Sequence, residues 1–65
     1  MMRQELVEET LYSLKVFMDD KRVIGIGNYE SYDDALNDAL TSMEDPHAVG
    51  YRIQPFKYVH KRWAK

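Results

Sequence analysis

Asn28-Tyr-Glu-Ser-Tyr-Asp-Asp-Ala-Leu-Asn-Asp-Ala-Leu-Thr-Ser-Met43 is the one stretch of this chain with an unambiguous helical signature. Ser31 is a favoured N-cap, and Asp34 stands three residues later in the Ser-x-x-acid form of a capping box. Asp33, Asp34 and Asp38 put negative charge in the first half, where it favours the positive end of the helix dipole. Tyr32, Ala35, Leu36, Ala39, Leu40 and Met43 recur at spacings of three and four, which makes one apolar stripe. Pro46 disfavours helical geometry in the residue before it, so the helix should stop near Glu44-Asp45. About three turns of helix are not stable alone in water, so the stripe has to lie on the rest of the chain.

Outward from that helix the pattern changes to alternation. Tyr12, Leu14, Val16 and Met18 alternate with Leu11, Ser13, Lys15 and Phe17, with the β-branched and aromatic content of a strand. Asp19-Asp20-Lys21-Arg22 is a polar turn of hairpin length. A second strand follows to Asn28, with Ile24 and Ile26 set against Val23, Gly25 and Gly27. Two glycines inside a strand point to a bulge or to the close approach of another chain. After the helix, Val49, Tyr51 and Ile53 alternate with Gly50, Arg52 and Gln54 in a third strand. Pro55 lacks a backbone donor, which places that strand at a sheet edge or a bulge.

The order strand, strand, helix, strand predicts an α+β fold. It would be a two-layer ββαβ sandwich with a three-stranded, mainly antiparallel sheet and one helix packed on one face. The third strand should lie antiparallel beside the first. The expected core is Tyr12, Leu14, Val16, Ile24, Ile26, Leu36, Leu40, Met43, Tyr51 and Ile53. Leu11, Phe17 and Val23 are left on the open face. A single domain spans 1–65, with 1–9 as a frayed lead-in, 10–59 as the folded core and 60–65 as a basic aromatic tail.

Sixty-five residues bury only about 60% of the surface of the unfolded chain, near the lower limit for unaided folding. With no cysteine, neither disulfides nor thiolate metal sites add stability. No apolar run approaches the roughly 20 residues that cross a bilayer, and Glu5, Glu8 and Glu9 interrupt any signal-like segment. The expectation is a cytoplasmic protein. The net charge is −2, but its distribution is uneven. Glu30, Asp33, Asp34, Asp38, Glu44 and Asp45 crowd the segment between Asn28 and His47, which has no Lys or Arg. From Lys57 to Lys65 there are four basic residues and no acid.

No residue pattern marks catalysis. There is no cysteine and no serine in a nucleophile-elbow context, and Gly25-x-Gly27 has neither the third glycine nor the following helix of a phosphate loop. His47 and His60 are not spaced as metal ligands. The expectation is therefore a protein that is not an enzyme, without cofactor or metal. Lys57, Tyr58, His60, Lys61, Arg62 and Trp63 interleave cations with aromatics, the composition that tracks phosphates and stacks bases. The acidic helix face instead suits a basic surface on a protein.

Ser31-Tyr-Asp-Asp-Ala-Leu-Asn-Asp-Ala39 resembles a Thr-x-Asp-Glu-Ala-Leu-type helix start, and Gly50-Tyr-Arg-Ile-Gln resembles a Gly-aromatic-x-aliphatic strand start. Together with the order of elements they resemble the small phage-encoded inhibitors of bacterial RNA polymerase made by short-tailed coliphages. The resemblance covers roughly a third of the chain. It implies a transcription inhibitor acting in host takeover, with Asp19 and Lys57 at the places that contact the polymerase. Pro55 stands where that family has another arginine, and Arg52 where it has an acid. The leading expectation is a small protein-binding module that docks on a host protein through Asp19, Arg52, Lys57, Lys61 and Arg62. The alternatives are a nucleic-acid-binding module using the tail from Lys57 to Trp63, and a homodimer.

Overall fold

The computed structural model describes residues 3–64. Strand β1 (Arg3–Met18) leads into β2 (Val23–Tyr29), helix α1 (Tyr32–Ser42) and strand β3 (Ala48–Ala64). The sheet order is β2-β1-β3, with β1 antiparallel to both neighbours. This is the ββαβ architecture read from the sequence, with the third strand beside the first.

The helix begins where its cap predicts. Ser31 is extended, and its hydroxyl accepts a 3.1 Å hydrogen bond from the Asp34 amide. Asp34 thus contributes its N–H to the cap, while its carboxylate and that of Asp33 sit in the first turn. Three successive turns then carry the chain from Thr41 to Ala48 across Pro46. Ser31→Ala should cost about 1 kcal/mol, read as a lower urea midpoint with an unchanged slope.

Local chemistry also explains the irregularities of the sheet. Leu14 pairs with Gly27 and Lys15 with Gly25, so Ile26 is an extra residue in β2 and the two glycines flank a bulge. Lys21 closes the hairpin turn in the left-handed region at φ 71°. Pro55 pairs with Tyr12 on β3, an edge strand, where the missing donor leaves no gap in the sheet.

The core is smaller than the sequence suggests. Among the described residues Leu14, Val16, Ala35 and Ala39 are buried, and Leu14 is the one large side chain wholly withdrawn from solvent. Tyr12, Leu36, Met43 and Ile53 are half-buried. Ile24, Ile26 and Tyr51 lie on the exposed side of that margin, and Leu40 is 53% exposed. The alanines decide this. Ala35 and Ala39 form the contact line because the helix can come closest to the sheet there. Leu40 follows Ala39 by one residue, about 100° further round the helix, and is carried towards solvent.

The second correction concerns the ends of the core. Arg3–Glu9, expected as a frayed lead-in, is regular strand, and the segment from His60 to Ala64 is strand as well. They pair with each other in unbroken register, from Leu11↔Phe56 out to Arg3↔Ala64. Met1, Met2 and Lys65, the extreme residues of the expected lead-in and tail, lie outside the described residues. Cross-strand charge complementarity supplies the physical reason: ion pairs join Glu5 to Arg62 at 2.9 Å and Glu8 to Lys57 at 3.2 Å, and the Glu9 carboxylate lies 3.4 Å from His60 Nε2. Each segment alone is polar and unpatterned, but their charges are complementary. Since β2 ends at the pair Tyr12↔Tyr29, β1 and β3 run on beyond it as a two-stranded arm. The molecule measures 55 × 19 × 12 Å.

Candidate interaction surface

Strand alternation sorts the arm into two sides. Leu14 and Val16 point beneath the helix, so even-numbered residues of β1 share that side and odd-numbered residues share the open face. On the helix side, the arm pairs Thr10 with Lys57, Glu8 with Val59, Leu6 with Lys61 and Gln4 with Trp63. The helix does not shelter them: Leu6 is 72% exposed, Trp63 63% and Val59 59%. On the open face the pairs are Leu11 with Phe56, Glu9 with Tyr58, Val7 with His60 and Glu5 with Arg62. Tyr58 and His60 stack with centroids 4.9 Å apart and planes 16° from parallel. Both sides of the arm therefore expose large apolar groups among compensated charges.

Nearer the helix, the open face is flatter. Lys15 pairs with Gly25 on one side and Arg52 on the other, and Phe17 pairs with Val23 and Gly50. A Cβ added at Gly25 would meet nothing within 4 Å. Lys15 and Arg52 are exposed, directly opposite one another, and among the described residues neither has a carboxylate within ion-pair distance. Like charges in opposite positions on a sheet are destabilising.

The residues singled out from the sequence do not form one patch. Asp19 lies just past the end of β1, where its carboxylate sits 2.9 Å from His47 Nδ1 and its amide donates to the His47 carbonyl at 2.8 Å. It fastens the base of β3. The pairs Phe17↔Gly50 and Glu5↔Arg62 are about a dozen residues apart along the ribbon, roughly 40 Å at ~3.3 Å per residue. Asp19 and Arg62 therefore stand near opposite ends. Lys57 and Arg62 are engaged by glutamates, Lys61 faces Leu6, and Arg52 belongs to the flat part of the open face. Tyr58, His60 and Trp63 join them on the arm, but Trp63 is on the side away from the Tyr58–His60 stack. Sequence reading missed Leu6, Val59 and Lys15, whose positions matter only once the pairing register is known.

Among the described residues, an open groove of about 200 Å³ beside the helix is lined by Val16, Ile24, Ile26 and Thr41 among others; another, of about 260 Å³, lies between β1 and the segment before the helix, lined by Glu9, Thr10, Leu11 and Glu30. Neither includes a histidine, and among the described residues no group of three His, Asp or Glu could hold a metal ion. No described helix is long and apolar enough to cross a membrane.

Tyr29, at the end of β2, donates a 2.6 Å hydrogen bond to the Asp38 carboxylate on α1. That bond, with a smaller contribution from desolvation, raises the phenol above its ordinary value of 10.0. The folded form holds the proton more tightly than the unfolded form. The stabilisation is therefore fully present below pH 10 and is lost as pH rises through the elevated folded value. Tyr29→Phe should lower stability at neutral pH, and the gap to the parent chain should close in urea titrations carried above pH 10.

No family model matches the chain, and no curated protein or solved structure is significantly similar to it.

Proposed function

We propose that the chain is a small, non-enzymatic protein-binding module of the cytoplasm that docks on a larger partner with the arm formed by β1 and β3. The observation that carries this is the arm itself. Two strands alone are marginally stable in water, yet this ribbon exposes Leu6, Phe56, Tyr58, Val59 and Trp63 along its length. Aromatic anchors among balanced charges are the composition of interface hot spots. The open outer edge of β3 adds main-chain donors and acceptors that a partner strand can pair with.

The resemblance to the phage-encoded inhibitors makes bacterial RNA polymerase the first partner to test, with the chain acting as a transcription inhibitor during host takeover. The test is affinity capture from a nuclease-treated bacterial lysate. One stoichiometric protein should be retained, and the polymerase subunits should appear if that partner is right. An eluate emptied by nuclease would overturn the reading in favour of nucleic acid.

The nucleic-acid reading loses support from the cross-strand pairing. Lys57 and Arg62 each have a glutamate within 3.2 Å, which removes two of the cations that phosphates would neutralise. Self-association through the same exposed apolar groups is the second reading, and light scattering of the purified chain separates it from the first.

A further inference from the structure

We propose that the flat part of the open sheet face, around Lys15 and Arg52, binds an acidic amphipathic helix of a partner protein. This rests on the protein-binding reading above and assigns it a second, chemically defined contact surface away from the arm. Four observations on the face converge. Its two central side chains are cations placed directly opposite each other, an arrangement that is unfavourable until an anion joins them. Gly25, paired with Lys15, is exposed and leaves the backbone bare beside that pair, so another element can come close. Leu11, Phe17 and Val23 frame it with apolar surface, of which Val23 is 54% exposed. The opposite face of the same sheet is already covered by a helix, α1, whose outward side is acidic.

Shape favours a helix as the occupant. Three strands at about 4.8 Å spacing make a platform the width of one helix of about 10–12 Å diameter. A helix laid there would add a third layer and cover the sheet face that α1 leaves open. Charge fixes its character: glutamates or aspartates at helical spacing would flank the apolar stripe and meet Lys15 and Arg52. A basic helix would add to the repulsion already present.

The probe is a fifteen-residue Ala/Leu peptide with Glu at positions i, i+4 and i+7 beside a leucine stripe, and two analogues with Gln or Lys at those positions. The Glu peptide should shift the amide resonances of Lys15, Phe17, Val23, Gly25, Gly50 and Arg52, with the arm unaffected. Lys15→Gln with Arg52→Gln should weaken its binding by about fivefold or more, and raising the salt should do the same. Lys15→Glu should abolish binding while raising the melting temperature of the free chain by about 2–4 °C, since an opposite pair replaces a like one. That combination separates a binding role from a fold defect.

Equal binding of the Gln peptide, or shifts confined to the arm or to α1, would overturn the proposal. So would the same shifts produced by millimolar inorganic phosphate, or a dimer in light scattering that Lys15→Glu converts to monomer. If lysate capture persists in the Lys15→Gln, Arg52→Gln chain and the Glu peptide does not bind, the arm retains its role and only this face loses its assignment.

Discussion

Leu14→Ala should remove a large share of the chain's stability at 25 °C and bring it close to its unfolding limit. Among the described residues Leu14 is the one large side chain with no exposure at all, and it shares the buried core with Val16, Ala35 and Ala39. Truncating a buried leucine costs about 2–5 kcal/mol, because the transfer energy is lost and the cavity does not fully collapse. A chain of this length is held by roughly 3–10 kcal/mol in total. The core has no second large buried group to share the loss. Circular dichroism and a urea titration check the result. Leu40→Ala is the control: with Leu40 53% exposed, its cost should stay within about 0.5 kcal/mol. If both leucines cost the same, the alanine contact line is misplaced and the helix lies on the sheet by another face.

Removing residues 60–65 should abolish partner capture and leave the ββαβ body folded. The deletion takes away Arg62 and Trp63 and strips Arg3–Val7 of the strand it pairs with. The body loses little, since cross-strand pairs contribute about 0.2–1 kcal/mol each and none of the four core residues belongs to the arm. Binding should suffer far more, because Trp63 is lost together with the paired geometry that presents the other exposed apolar groups of the arm. Trp63→Ala and Tyr58→Ala supply the point-variant check, each expected to weaken the partner's affinity by about tenfold or more. A truncated chain that captures its partner at full strength would remove the arm from the function. One that unfolds would show that the arm is part of the core's support.

The features legible in the sequence are those set by neighbours along the chain. Ser31 announces its own cap, Pro55 its edge strand, and Gly25 and Gly27 their bulge, because each rule acts over a few residues. The arm is invisible at that range. Glu5, Leu6, Val7, Glu8 and Glu9 carry no alternation, and their partners are more than 45 residues further on, as in Glu9↔Tyr58. The same distance hid the meaning of the acid-free segment after Lys57. Read alone, it suggests a field aimed at a partner; in the fold, much of it is balanced internally by Glu5, Glu8 and Glu9. The helix stripe has a period but no marked centre. Only the closeness permitted by Ala35 and Ala39 settles which of its leucines is buried. Of the surface itself, Arg52 was named among the docking residues, but Lys15 became its neighbour only through the register of β1 with β3.

Site-specific photo-crosslinking tests the role of the arm most directly. A benzophenone side chain placed at Tyr58, on the open face of the arm, should link the chain to one lysate protein after nuclease treatment and irradiation. The same group at Asn37, on the outer side of α1, should link to nothing. Crosslinks from Asn37 with none from Tyr58 would make the helix the working surface and contradict the binding role of the arm.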